Sequence, residues 1–463
     1  MAIVNDIVQA EDLEQFEVND LYKATQLLLQ EFQQSKEEEH PGKIKELSDH
    51  LKKRLMNKAA YPLAVLLECG HLAIRHQLQK DWNSPMKQRQ LFLFENLMAQ
   101  FRGKVPPEVW NQICLAYAEA LLPTGRSIDA LAVLDDMAEK EGEPFYERQN
   151  AERGWALVMY STFLRDQFEK AQGLHTARDL LRQAQQDISD ERGRALYGQR
   201  LQLAERMLEK LGAVDVTEGY TLNLFEGKQK QYREWCAEHR LLLNGANDID
   251  PAKASKIETF RYRPAGDDKE QAEFLESFLK SLMQEFTALR WTLFEALEDS
   301  EVSAEGGYDR TEQLKSVYRH AFSLFDKIAL FLNHAYKLEV DLPRTSMQRI
   351  WFEEEHPKKP LKPFIKDTKN DALKALYWLS KELFGYERSD RQSLPMIRAT
   401  QLRHQLERSF VQVVESPEAA VKTGELRKHQ MTQKELERMA VTLTFKARTA
   451  LMYLRYAVDL KAK

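Results

Sequence analysis

Apolar residues recur along this chain at intervals of three and four, and the strict alternation that marks a half-buried strand is nearly absent. In "NDLYKATQLLLQEFQQSKEEE", Leu21, Leu27, Leu28 and Phe32 fall on one broad helical stripe. "YPLAVLLECGHLAIRH" is more apolar and predicts a buried helix. "PPEVWNQICLAYAEALLPTGRSIDALAVLDDMAEKEG" reads as a helical hairpin whose first helix ends near Leu122 and whose turn is "PTGRS". "NAERGWALVMYSTFLRDQ" and "HTARDLLRQAQQDI" read as a second pair, and "ERGRALYGQRLQLAERMLEKLG" closes this half with Gly212 as its C-cap.

Paired helices with small residues at their crossings look like tetratricopeptide (TPR) repeats, in which each unit buries its apolar face on the next. The spacing is irregular: "ALAVLDDM" starts at Ala130 and "ARDLLRQA" at Ala177, further apart than the roughly 34 residues of such a repeat. "GAVDVTEGYTLN" marks a boundary, and longer helices follow. They are "KEQAEFLESFLKSLMQEFTALRWTLFEALE", "QLKSVYRHAFSLFDKIALFLNHAY", "NDALKALYWLSKELFG", a helix around "LRHQLERSF", and "TQKELERMAVTLTFKARTALMYLRYAVDL". The last opens with a capping box formed by Thr432 and Glu435. The predicted fold is all-α. Residues 1–215 form a TPR-like helical-repeat solenoid, 216–250 a connecting helix with a signature segment, and 251–463 a helical bundle.

Composition narrows the chemistry. Of the 463 residues, 43% are hydrophobic and 30% charged, with scarce Gly (18) and Pro (15), which fits a globular helical protein. The net charge of −5 gives no global attraction to nucleic acid, so RNA contact requires a local basic patch. Cys69, Cys114 and Cys236 are far apart, which disfavours a disulfide framework or a zinc site. The acidic start lacks the basic-then-apolar pattern of a signal peptide, and no apolar run reaches the roughly 18 residues of a membrane span. The cytoplasm is the expected compartment, with no membrane partner. Phosphate-binding loops, dinucleotide turns, nucleophile elbows, HExxH pairs and EF-hand loops are absent from the sequence. His71 and His76, five apart, do not share a helix face as a metal pair would, and read as surface or satisfied core histidines. No cofactor and no metal site are expected.

Several segments together resemble one family. "YREWCAEHRLLLNGANDI" is similar to a signature in which a Tyr-Arg-x-Trp-Cys helix runs into Leu-x-Leu-Asn and then Asn-Asp. "AFSLFDKIALFLN", "IWF", "ALYWLSKELF", "LRHQLERSFVQV" and "TFKARTALMYL" follow in that family's order, and "NAERGWAL" resembles its repeat region. The family is a bacterial group of the HEPN superfamily (higher-eukaryote and prokaryote nucleotide-binding), and the resemblance covers roughly residues 105–463. It implies a helical bundle that pairs with a second copy and, in many members, a metal-independent endoribonuclease serving stress or antiviral defence. The implied motif is an arginine and a polar residue followed, a few positions on, by a histidine. Histidine moves a proton near neutral pH, and arginine holds the phosphate.

In the best register Arg403 is the motif arginine, His404 the polar residue, and Leu406 and Glu407 the Leu-Glu preceding the histidine. Arg408 then stands where the histidine belongs, and arginine cannot act as a base near neutral pH. A second register pairs Arg398 with His404, which lie about 120° apart in azimuth and about 9 Å apart along a helix. His404 and Arg408, four apart, share a face. Three readings stay open: a ribonuclease using His404 with Arg403, Arg408 or Arg398; a member whose histidine is lost or has been replaced, inactive as it stands; and a solvated face over Leu402, Leu406, Phe410 and Val413. "HPKKPLKPFIKDTK" carries five lysines, of which Lys358, Lys359 and Lys362 are candidates for an RNA path, against a plain solvated connector. Asn244, Asn247 and Asp248 suit a turn or cap first and a cleft lining second. Asp326 is a candidate to orient the motif arginine from across the bundle. Trp235, Trp351 and Trp378 read as core rather than base-stacking platforms. The expected partners are RNA, a second copy of the chain, and a protein or other trigger on the TPR-like half.

Overall fold

A computed structural model describes residues 2–10, 12–35, 40–79, 81–137, 146–214, 225–256, 269–298, 310–384, 394–416 and 429–461. Most of the loop "ESPEAAVKTGELRKHQ", all of "SEVSAEGGYD" and most of the boundary "GAVDVTEGYTLN" lie outside them. The described residues are overwhelmingly helical, so the all-α expectation holds. Contacts divide the chain into two compact units. One comprises Met1–Thr124, Asp129–Arg153 and Arg388–Pro395; the other comprises Gly125–Ile128, Gly154–Glu387 and Met396–Lys463.

The first unit holds α1 (Ala2–Gln9), α2 (Val18–Ser35), α3 (His40–Leu55), α4 (Tyr61–Gln79), α5 (Pro85–Phe101), α6 (Pro107–Leu121), most of α7 (Ser127–Asp135) and the start of α8 (Tyr146–Ser161). The stripe read from the sequence is only partly buried: Leu21, Leu28 and Phe32 join Ile44, Leu47 and Leu51 in one core, whereas Leu27 stays exposed. Leu27 sits roughly 100° around the helix from Leu28, at the edge of the apolar arc. Successive helices pack as neighbours, α2 on α3, α3 on α4, α4 on α5 and α5 on α6. His71 on α4 departs from the expected satisfied core histidine. It is buried beside the Phe32 ring, and its Nε2 has no hydrogen-bond partner among the described residues. Burial, with Arg75 nearby, lowers its pKa to about 4.

The second unit takes in the end of α8, then α9 (Gln167–Asp187) and α10 (Glu191–Leu211), which pack together as a hairpin. Asp166 and Asp190 cap their starts, and Gly212, at φ 79°, ends α10 in the left-handed region where glycine carries no Cβ penalty. Next come α11 (Gly227–Glu238) and two short turns, α12 (Ala246–Ile249) and α13 (Pro251–Ala254). The long α14 (Lys269–Glu298) and α15 (Arg310–Ala335) follow, then α16 (Pro363–Lys366), α17 (Asp371–Phe384), α18 (Leu394–Arg408) and α19 (Gln433–Lys461). α19 packs against α14, α15 and α17, so the C-terminal helix forms the axis of the bundle. Thr432 Oγ1 accepts the Glu435 N–H at 3.3 Å, half of the expected capping box. Trp351 and Trp378 lie in the core as predicted, while Trp235 is half-buried and stacks on His239. One feature departs from the sequence reading: β1 (Gln412–Val414) and β2 (Gln430–Thr432) pair in parallel. Three residues per strand are too few for a period of two to register above helical periodicity.

The signature segment and the C-terminal helix meet in a buried polar cluster. Arg448 on α19 donates to the Leu242 and Asn244 carbonyls at 2.9 Å each and to Asp248 Oδ1 at 2.8 Å. Both side chains are fully buried. Tyr160 donates to Asp248 Oδ2 at 2.8 Å, which leaves the Tyr456 hydroxyl to donate to Tyr160 at 2.8 Å. Burial, with Asp248 alongside, pushes the Tyr160 hydroxyl well above its usual range, so it stays a donor. Gly245 is needed for close approach: its N–H reaches Glu169 at 2.9 Å, and a Cβ there would meet the same carboxylate at 2.6 Å.

Two outcomes follow from this packing. Removing one partner of a buried pair strands the other charge, so Asp248→Ala will cost roughly 3–5 kcal/mol in urea unfolding, and adding Arg448→Met will recover part of it. His71 protonates in the unfolded chain near pH 6.5 but in the folded chain only near about 4. Its contribution is therefore intact above about pH 6.5 and erodes as pH falls toward 4. His71→Phe will flatten the fall of the urea midpoint over that window.

Candidate functional site

α18 carries the residues singled out for RNA chemistry. Leu402 is buried and fixes the inner face, which leaves Arg403 on the flank and His404 and Arg408 on the outer face, since they lie roughly 200° and 240° around from Leu402. Arg403 is half-buried. Its guanidinium lies 5.0 Å from the centroid of Phe322, donates to Glu407 at 2.9 Å within the helix, and reaches Asp326 on α15 at 3.4 Å. Asp326 also accepts the Met347 N–H at 3.3 Å through its other oxygen, which fixes the carboxylate. The arginine, Glu407 and Asp326 are thus brought together.

Arg398 points elsewhere. It donates to Glu435 at 3.0 Å, so the glutamate of the capping box is turned to a neighbouring helix rather than back onto its own N-cap. Tyr318, buried beneath α18, donates to the Ala399 carbonyl at 3.1 Å and ties the helix to α15. His404 and Arg408 are both exposed, and among the described residues neither has a hydrogen bond or ion pair. The apolar face assigned to this stretch is only partly buried: Phe410 is 54% exposed and stacks on His429 at 4.8 Å.

The other candidates lie apart. Lys359 and Lys362 pair with Glu354 and Glu355 at 2.9 and 2.8 Å, so their charge is matched inside the loop, and only Lys358 of the three is exposed without an ion pair among the described residues. Asn247 accepts the Leu242 N–H and donates to the Ala237 carbonyl, and Asn244 accepts the Asn247 N–H. These hydrogen bonds, with the Asp248–Arg448 pair, engage Asn244, Asn247 and Asp248 inside the fold. Arg448, Tyr160 and Tyr456 were not singled out from the sequence; the one available signal was a charged residue inside the apolar run of "TFKARTALMYL". Among the described residues no group of three or more His, Cys, Asp or Glu is placed to hold a metal. Among the described residues no helix is long and apolar enough to cross a membrane.

Comparison with known families bears on this bundle directly. Residues 267–461 match the family model described as LA2681-like HEPN. The C-terminal part of the chain is a HEPN domain. The match spans α14 to the end of α19 and so includes α15, with Asp326 and Phe322, and α18, with Arg403, His404 and Arg408. No curated protein and no solved structure matches the chain.

Because Arg403 and Asp326 are partly exposed, their pair is screened by solvent. Asp326→Ala will therefore shift the urea-unfolding free energy by less than about 1 kcal/mol. A larger loss would mean that Asp326 is needed for the bundle itself.

Proposed function

We propose that this chain is a HEPN-type endoribonuclease that works as a homodimer without a metal ion, in bacterial stress or antiviral defence. On this reading it acts as a toxin-like effector whose TPR-like half, residues 1–215, controls access. The observation that carries the reading is the outer face of α18, where His404 and Arg408 stand exposed, one helical turn apart, while Arg403 is held by Asp326 and Glu407. His404 has a side chain able to take the proton of a ribose 2′-hydroxyl. The 2′-oxygen then attacks phosphorus, the bond to the 5′-oxygen breaks, and the products are a 2′,3′-cyclic phosphate and a 5′-hydroxyl. Arg408 supplies the fixed positive charge for the phosphate as negative charge builds on it. A second copy across the dimer axis provides the other proton carrier, for the leaving oxygen.

Two observations favour a second reading. Arg408 occupies the position that the family resemblance assigns to histidine, and two carboxylates already offset the charge of Arg403. A HEPN-fold dimerisation or RNA-binding scaffold without catalysis fits those facts.

RNA cleavage by the purified full chain in EDTA separates the two. The ribonuclease reading expects cleavage that His404→Ala lowers by about 10²–10⁴-fold, the usual share of general acid–base catalysis. Arg403→Ala should lower it as well. Silence from the natural sequence with cleavage by Arg408→His would identify an intact scaffold lacking its proton carrier. Cleavage that survives His404→Ala would remove that residue from the mechanism.

A further inference from the structure

The first unit contains an open cleft of about 790 Å³, between α2, α4, α5 and α6, that the HEPN chemistry does not use. That volume is in the range of small-molecule sites. At its wall stands Lys87, only 3% exposed. Its ammonium donates to Gln90 Oε1 at 2.7 Å and, at 3.4 Å, to the Ala120 carbonyl. Among the described residues no carboxylate pairs with it.

That arrangement is costly. A buried ammonium ordinarily needs a counter-charge. Lys87 is also in the first turn of α5, just after the N-cap Ser84, where the helix dipole repels a cation. The carboxylates that could have served are elsewhere: Glu68 is taken by Lys52 at 2.5 Å and Arg89 at 3.5 Å, and Glu119 faces Arg148 at 3.9 Å. Asp81, on the cleft wall, accepts the Asn83 N–H and does not reach Lys87. Meanwhile the surrounding polar groups are fixed. Gln90 Nε2 donates to the Cys69 carbonyl at 3.0 Å, which aims its oxygen at the ammonium. Ser84 Oγ accepts the Lys87 N–H and lies 2.7 Å from His76 Nδ1. An ammonium with two neutral acceptors has a third N–H to give.

We propose that this cleft binds a small organic anion, whose single carboxylate or phosphate group supplies the counter-charge of Lys87. Tyr22 and Trp82 line the cleft for the body of the ligand, and Gln77 and Gln112 offer neutral hydrogen bonds. The site is independent of the ribonuclease reading and stands whether or not the chain cleaves RNA.

Protonation provides a second handle. Burial lowers the Lys87 pKa to about 8. The other titratable and charged groups facing this part of the cleft are Tyr22 on α2, whose hydroxyl burial raises above its usual value, Cys69 and His76 on α4, Asp81, and the Glu119–Arg148 pair. Burial lowers His76 to about 4, and burial with Glu68 raises Cys69 well above its usual value, so neither changes charge between pH 7 and 9.5. Anion binding should therefore weaken as pH rises above about 8, because the ammonium it requires is lost.

Isothermal titration of the full chain at constant ionic strength tests this, with acetate as the carboxylate probe and inorganic sulfate as the tetrahedral oxyanion probe. The proposal expects saturable binding of at least one, weakened tenfold or more in Lys87→Met and weakened five- to tenfold or more between pH 7 and 9.5 in the natural sequence. Preference for acetate would indicate a carboxylate ligand, and preference for sulfate a phosphate-bearing one. Binding of neither anion, or equal binding by a folded Lys87→Met, overturns the proposal. If Lys87→Met does not fold, the pH series decides: an affinity constant from pH 7 to 9.5 overturns it.

Discussion

The second unit depends on one buried ion pair. Arg448 and Asp248 are both out of water, and neither would be tolerable there alone. What makes the pair viable is saturation: the guanidinium also meets two backbone carbonyls, and the carboxylate also accepts from Tyr160. Those extra hydrogen bonds dictate backbone shape. The segment from Leu241 to Ile249 cannot be a regular helix, because its carbonyls must turn toward α19, and Asn244 and Asn247 supply the side-chain hydrogen bonds that a helix would otherwise make internally.

The same logic separates structural polarity from chemical polarity across the bundle. The signature segment is rich in Asn and Asp, residue types common in active sites, yet Asn244, Asn247 and Asp248 make hydrogen bonds inside the fold. On α18 the balance is reversed. Arg403 and Arg398 are held by carboxylates from α15, α18 and α19, while His404 and Arg408 are exposed and have no hydrogen bond or ion pair among the described residues. Exposed side chains of this kind on a helix are where reaction or recognition can occur without dismantling the core. The first unit contributes the opposite case, a cation buried without a counter-charge, where the missing partner points to a ligand.

Much was legible from sequence because helices announce themselves locally. The stripe of α2, the C-cap at Gly212, the N-cap at Thr432 and the core positions of Trp351 and Trp378 follow from spacing and residue type alone. The paired strands at Gln412–Val414 and Gln430–Thr432 did not, since parallel pairing joins residues whose local pattern says nothing of each other. The family resemblance brought α18 and Arg403 into view, and Asp326 emerged as a charged interruption in an apolar helix.

By itself, then, the sequence determined an all-α chain with a C-terminal HEPN bundle and a short list of charged residues near its end. Only the tertiary structure decided what each charge is for. Arg448, Asp248 and Arg403 look alike in a string of letters, as do Lys87 and Lys359. Burial and the identity of the nearest opposite charge tell them apart: Arg448 finds its carboxylate 200 positions away, whereas Lys359 finds one within its own loop, and neither fact can be read from the residue alone.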